Sequence, residues 1–286
     1  VIGIVDASSN NVRAQRWDGS SWSNVPMNPL GTAASLDFHG CAVAYEQVSG
    51  RAVTVWNDNS QPNGWKLRFS IWNGSGWTMP SSITAFPGAE PRYMKIAANP
   101  ASNELTLVVV DSNQNTYGLV WSGASWGNVV SLDTSGSATE DQTAANVVHE
   151  GLTNRAMVLY GTRLDRYMRF RIWNGNSWSA EQVITAPSGP DRPRWVVASA
   201  DPGSNRIMLG VLARGRRVWM SVWDGAAWGH SVTVEKRAQL DTAEAVAVAF
   251  EGQSGNAIVA YSEDKAKLVR YRRWQPAAGW SPEGTP

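Results

Sequence analysis

Six times along this chain a tryptophan is followed five or six residues later by a second, usually across a turn reading Asn-Gly, Asp-Gly or Ser-Gly. The pairs are Trp17/Trp22, Trp72/Trp77, Trp121/Trp126, Trp173/Trp178, Trp223/Trp228 and Trp274/Trp280, so successive first members lie 55, 49, 52, 50 and 51 residues apart. Few architectures repeat at that length using only short strands. The period predicts a six-bladed β-propeller of four-stranded antiparallel blades, one blade per repeat.

Each repeat carries its own folding signal. In Ile172-Trp173-Asn174-Gly175-Asn176-Ser177-Trp178 the Asn side chain can bond the backbone ahead of it, and Gly tolerates positive φ. Four loop residues place the flanking positions opposite one another, so both indoles share one face as a cross-strand pair. Such pairs add about 0.5–1.5 kcal/mol beyond area burial, and sealing one blade against the next is the role expected of them. The last hairpin, Trp274-Gln275-Pro276-Ala277-Ala278-Gly279-Trp280, has one more residue and no Asx-Gly, so a different register is expected there.

Outward from each hairpin the repeat reads as four strands. The third repeat gives an inner strand through Tyr93–Ala98, a very apolar second strand at Leu105–Val110, a third at Tyr117–Trp121 and a fourth from Trp126. The same order recurs from Arg194 to Val234. The first repeat supplies strands two to four through Val1–Asp6, Val12–Trp17 and Trp22–Val25, and lacks the innermost one. A single domain over residues 1–286 follows, with blades at about 1–35, 36–86, 87–137, 138–187, 188–238 and 239–286. Either the natural chain extends beyond Val1 and supplies that strand, or another molecule fills the gap, by self-association or from a neighbouring chain, or the edge stays open, an aggregation risk that ranks last.

Composition narrows the function classes. There is one cysteine, Cys41, hence no internal disulfide, and no run of eighteen apolar residues, so membrane insertion is not expected. Net charge is +1, but residues 1–150 hold 7 Lys+Arg against 12 Asp+Glu, whereas residues 151–286 hold 18 against 12. Arginine gathers at Arg163, Arg166, Arg169 and Arg171, at Arg214, Arg216 and Arg217, and at Arg270, Arg272 and Arg273. These positions are read as a solvated face, with a polyanion-binding or self-complementary surface as the sharper reading. Aromatics and arginines are not interleaved as a stacking platform, which argues against nucleic acid. His39, His149 and His230 have no metal-ligand spacing, Asp111-x-Asn113-x-Asn115 lacks the glycine and distal glutamate of a calcium loop, and no cofactor motif is present.

At its Trp-Asp-Gly-x-x-Trp hairpins, for example Trp17-Asp18-Gly19-Ser20-Ser21-Trp22, the chain resembles the six-bladed bacterial and fungal fucose-binding lectins. It is also similar to the Asp-box turns of sialidase-type propellers. The lectin resemblance implies carbohydrate binding by an arginine and a third-strand glutamate. Three residues before each hairpin tryptophan stand Ala14, Phe69, Gly118, Phe170, Met220 and Tyr271, so fucose recognition by that route is not expected. The sialidase resemblance implies three arginines converging on a carboxylate. Arg92, Tyr93, Arg192 and Arg194, with Glu90 and Asp191 beside them, are the residues from which such a site could be built.

Two further sets are candidates. Asp37, Glu90, Asp141, Asp191 and Asp241 precede the inner strands and could ring one mouth of the axial channel, although carboxylates there also serve as backbone acceptors at blade corners. Of the tryptophans outside the pairs, Trp56, Trp65, Trp195 and Trp219, those nearest loops, Trp65 and Trp195, are the ligand-stacking candidates. The preferred expectation is a non-enzymatic bacterial module, extracellular or at the cell surface, that binds a glycan or surface polysaccharide. The alternatives are an assembly subunit whose first blade a neighbour completes, and a sialidase-like glycoside hydrolase.

Overall fold

A computed structural model describes residues 1–5, 9–24, 30–32, 40–135, 144–162, 164–187, 191–235, 237–238, 244–264 and 267–286. Regular structure there is entirely strand, arranged as six antiparallel sheets. Among the described residues no helix is long and apolar enough to cross a membrane. The chain forms two compact units, Val1–Thr134 and Ser135–Pro286, with three sheets in each. The division falls close to the expected end of the third blade.

In the first unit, blade one contains β1 (Ile2–Val5), β2 (Asn11–Trp17), β3 (Trp22–Asn24) and β4 (Gly31–Thr32). The last two both pair with β2, at Trp17↔Trp22 and Asn11↔Thr32, so they are two pieces of one outer strand. Blade one therefore has three strand positions, and among the described residues β1 pairs only with β2. Blade two contains β5 (Cys41–Tyr45), β6 (Ala52–Asn57), β7 (Leu67–Trp72) and β8 (Ser81–Ser82). Blade three contains β9 (Pro91–Ala98), β10 (Leu105–Asp111), β11 (Thr116–Trp121) and β12 (Trp126–Asp133).

The second unit repeats the plan. Blade four is β13 (Ala145–His149), β14 (Ala156–Gly161), β15 (Met168–Trp173) and β16 (Gln182–Ile184); blade five is β17 (Pro193–Ala200), β18 (Ile207–Ala213), β19 (Arg217–Trp223) and β20 (Trp228–Glu235). Blade six is β21 (Val246–Phe250), β22 (Ala257–Glu263), β23 (Leu268–Gln275) and β24 (Gly279–Trp280).

Second strands show why blades stack. β6, β10, β14 and β18 are buried at every position, because a middle strand in a sheet covered on both faces must be apolar on both. Burying each such Val or Leu side chain contributes about 1.5–3 kcal/mol. In the second unit, β18 of blade five needs a glycine: a Cβ at Gly210 would lie 2.9 Å from Val197 and 3.0 Å from Val248 of blade six.

The hairpins fold as their residues dictate. Asn174 Oδ1 accepts the N–H groups of Asn176 at 3.0 Å and Ser177 at 2.9 Å, and Gly175 takes φ 91°. Asp18, Asn73 and Asp224 serve the same purpose in blades one, two and five. In the first five blades the paired indoles lie 5.4 to 5.7 Å apart between ring centroids. The expected register change in blade six does not occur. Trp274 remains directly opposite Trp280, because Gly279 at φ 71° absorbs the additional residue inside the turn.

Between blades the indoles meet a device that spans two sheets. In the first unit, Glu46, at the end of β5, accepts Trp121 Nε1 of blade three at 2.6 Å, and Arg51 chelates it through Nε at 2.5 Å and Nη2 at 2.7 Å. Ser49 also donates to this carboxylate, while Arg51 Nη2 reaches the Gly123 carbonyl at 2.6 Å. The second unit has the same clamp. Glu150 accepts Trp223 Nε1 at 2.7 Å and both Arg155 nitrogens, Thr153 donates to it, and Arg155 Nη2 reaches the Gly225 carbonyl at 3.0 Å. Blades two and three, and blades four and five, are thus locked as pairs.

Candidate functional site

Each locked pair of blades encloses one groove, and the two are built alike. In the first unit a groove of 250 Å³ is lined by Phe69, Ser81, Ser82, Thr84, Ser125 and Trp126, among others. In the second, a groove of 260 Å³ is lined by Phe170, Gln182, Thr185, Trp223, Trp228 and Ser231, among others. One wall comes from the even-numbered blade's third and fourth strands, the other from the next blade's hairpin.

The floor is aromatic in both. Phe69 lies 5.5 Å from the Trp121 ring and 6.2 Å from Trp126, and Phe170 lies 5.6 Å from Trp223 and 6.1 Å from Trp228. These phenylalanines hold the third-strand position at which the sequence resemblance implied a glutamate. No charged side chain lines either groove. Hydroxyl and amide groups supply the polarity.

The indole N–H groups of Trp126 and Trp228 are buried yet have no hydrogen-bond partner. In blade six the equivalent tryptophan is satisfied, because Trp280 Nε1 donates to the His230 carbonyl at 2.8 Å. An unmet buried donor costs about 1–3 kcal/mol. The fourth-strand indole is therefore left unpaired at both grooves and paired with protein at the junction of blades five and six.

Trp65, in the insertion of blade two, is 55% exposed, and its carbonyl accepts Ser82 Oγ at 3.1 Å, which ties this loop to the wall of the first groove. Trp195 is 6% exposed and belongs to the apolar cluster packed between blades five and six, with Met220, Tyr261 and Trp274. It presents no open face. Trp56 and Trp219 are fully buried.

Arg92 and Tyr93 lie at the start of β9 in the first unit, Tyr93 with 1% exposure, whereas Arg192 and Arg194 lie at the start of β17 in the second. Glu90 stands 3.6 Å from Lys66, and Asp191 is exposed, accepting its neighbour's N–H at 2.7 Å. Asp37, Asp141 and Asp241 fall outside the described residues. Asp111 is an Asx turn, accepting the N–H groups of Asn113 and Asn115 at 2.9 Å each. Among the described residues no group of three or more His, Cys, Asp or Glu could hold a metal ion.

Several of the clustered arginines are engaged within their own unit. Arg169 pairs with Asp165 and Glu181, Arg216 with Asp264, and Arg270 with Glu263 and Glu283. Two tyrosines join these networks: Tyr160 OH donates to Glu181 and Tyr261 OH to Glu283, each at 2.6 Å. Burial, reinforced by the adjacent carboxylate, pushes both phenols well above the usual tyrosine range. They are proton donors, held far from the phenolate.

No protein-family model and no curated protein matches the sequence. Solved structures do resemble the fold. The BP39L lectin from Burkholderia pseudomallei aligns over 99% of this chain and 79% of its own, with a TM-score of 0.70 and 15% identity. A six-bladed β-propeller lectin from Aleuria aurantia, described with a novel fucose recognition mode, aligns over 96% and 87%, with a TM-score of 0.55 and 16% identity. A structure of NanB with Optactamide aligns over 91% of this chain and 61% of its own, with a TM-score of 0.52 and 11% identity. The fold is a six-bladed β-propeller.

Proposed function

We propose that this chain is a non-enzymatic carbohydrate-binding module, extracellular or at the surface of a bacterium, and that its two grooves each take one neutral sugar ring. The observation that carries the reading is the pair of aromatic, uncharged grooves lined by hydroxyl and amide groups. Volumes near 250 Å³ fall below the ~300–1,000 Å³ of drug-sized pockets and suit a single ring. Aromatic faces bind the apolar faces of sugars, while Ser81, Ser82 and Ser125, or Gln182, Thr185 and Ser231, offer hydroxyl partners. Phe69 and Phe170 exclude a third-strand carboxylate, so the ligand's hydroxyls meet neutral groups only. Exposed Trp65, on the loop whose carbonyl holds Ser82 Oγ, offers a second stacking face for a longer saccharide such as a surface polysaccharide.

A hydrolase reading is disfavoured by Tyr93: this candidate tyrosine is 1% exposed, whereas a nucleophilic phenol has to be reached by its substrate. Incubation with fluorogenic sialosides and neutral glycosides is expected to release no fluorophore.

Glycan-array screening followed by calorimetry tests the binding reading. Phe69→Ala with Trp126→Ala should abolish binding at one groove and leave the other, and Phe170→Ala with Trp228→Ala the reverse. No saccharide bound by the folded wild-type chain would overturn it.

A further inference from the structure

The hairpin that walls each groove is fastened at two points by the preceding blade. In the second unit, Glu150 Oε1 holds the Trp223 indole N–H at 2.7 Å and Arg155 Nη2 donates to the Gly225 carbonyl at 3.0 Å, so one ion pair grips both the base and the turn of that hairpin. Trp223, Ala226, Ala227 and Trp228 of the same hairpin line the groove. In the first unit Glu46 and Arg51 take Trp121 and the Gly123 carbonyl in the same way, and Ala124, Ser125 and Trp126 form the wall. The loop carrying each acid is itself pinned to the next blade: Asn103 Oδ1 accepts the Ser49 N–H at 2.8 Å, and Asn205 Oδ1 accepts those of Leu152 and Thr153 at 3.0 and 2.9 Å. The blade that supplies the acid and the arginine also supplies the opposite side of the groove, through Phe69 or Phe170.

We infer, resting on the saccharide reading of the grooves, that Glu46–Arg51 and Glu150–Arg155 are positioning pairs for the two sites: each fixes the width of one groove by holding the hairpin across it. None of the four residues lines a groove, so they act through the hairpin and not by touching the sugar. Their acids are suited to this. Glu46 and Glu150 are 0% and 1% exposed, and each carboxylate is held by an indole, an arginine and a hydroxyl, the kind of locked support that keeps a site's geometry. Blade five shows what is lost when the acid is shorter. There Asp201, with Ser204 Oγ at 2.6 Å and Arg206 Nη1 at 3.7 Å, occupies the same place in the repeat, and Trp274 Nε1 of blade six has no hydrogen-bond partner among the described residues. A side chain one methylene shorter does not grip the next hairpin.

Glu150→Asp tests this with a side chain that blade five already carries at the same place. In NMR spectra of the whole chain without sugar, the backbone amide signals of Ala226 and Ala227 should shift in Glu150→Asp while those of Ala124 and Ser125 stay, and Glu46→Asp should give the reverse. Methyl glycosides of glucose, galactose, mannose and N-acetylglucosamine are then titrated. Each variant should bind the glycoside that occupies the wild-type grooves about tenfold more weakly at the groove its clamp serves, and unchanged at the other. The untouched groove reports that the chain is folded, and a purely structural role would lower the melting temperature while leaving both affinities alone. Arg155→Lys keeps the charge but cannot span Glu150 and the Gly225 carbonyl, so it should repeat the loss if Glu150→Asp does not fold. A Trp223 indole signal that shifts while Ala226 and Ala227 stay, or a glycoside bound equally by wild type and Glu150→Asp at both grooves, would overturn the inference. Amide shifts as expected with no glycoside bound by the wild-type chain would leave the positioning standing and overturn the saccharide reading instead.

Discussion

A carboxylate with no solvent contact is tolerable only when several donors hold its charge, and Glu46 meets that condition with Trp121, Arg51 and Ser49 around it. Burial works to raise its pKa, but the hydrogen bonds from Arg51, Ser49 and Trp121 prevail and hold the carboxyl below its ordinary range. Its contribution to stability is therefore present above the unfolded carboxyl pKa and declines as pH falls through the folded one. Glu46→Gln strips the charge while Arg51 and Trp121 stay in place; urea unfolding should record a loss of about 2–4 kcal/mol. A loss under about 1 kcal/mol would remove the clamp from the account. His149 supplies a second acid-sensitive element. Burial lowers its pKa to about 4, and its Nδ1 lies 3.1 Å from the Asn154 carbonyl, which makes that nitrogen the protonated one. The folded state binds fewer protons than the unfolded chain between pH 6.5 and 4, so stability is full above about 6.5 and falls toward 4. The decline amounts to about 3 kcal/mol. In His149→Gln the part of the acid limb lying between these pH values should flatten; an unchanged profile in thermal melts would assign the sensitivity elsewhere.

At the scale of the element, the unit of construction is the hairpin with its two indoles. A double-mutant cycle on Trp173 and Trp178 should return a coupling of about 0.5–1.5 kcal/mol, since their rings lie 5.4 Å apart. Burial then grades the blades. Trp121 is 1% exposed and clamped, so Trp121→Ala should cost about 3–5 kcal/mol, whereas Trp17 is 47% exposed and Trp17→Ala should cost less than about 1.5. Equal costs would show that the pairs act only within their own hairpin. The pairs were legible because each lies inside one repeat. The clamp was not, although its signal is present: Glu46-x-x-Ser49-x-Arg51 and Glu150-x-x-Thr153-x-Arg155 recur, with Asp201-x-x-Ser204-x-Arg206 as a shorter-acid version in blade five, but the indole that completes the clamp comes from the next repeat. Blade six keeps Glu251 and Ser254 but has Asn256 in place of the arginine. Trp195 shows a different limit. Its place at the mouth of an inner strand suggested an exposed ring, yet strand alternation turns the indole into the packing between blades five and six.

For the whole molecule, the period of paired tryptophans was enough to yield the six-bladed fold and the missing strand of blade one, because both are matters of counting strands per repeat. The grooves were invisible to that reading. They are lined by phenylalanine, serine, threonine and glutamine, residues with no charge pattern or motif, brought together only when consecutive blades stack. Unequal charge between the halves of the sequence was legible, but its functional weight falls once Arg169, Arg216 and Arg270 are seen in ion pairs. On the proposed reading, one groove in each compact unit would make the chain divalent for a sugar, and divalency converts a weak single-ring contact into retention on a repetitive polysaccharide when both sites can be engaged at once. Calorimetric titration of the wild-type chain with a saccharide taken from the array addresses this most directly. The account predicts two equivalent sites, falling to one in Phe69→Ala/Trp126→Ala and to one in Phe170→Ala/Trp228→Ala; a stoichiometry that neither double variant alters would contradict it.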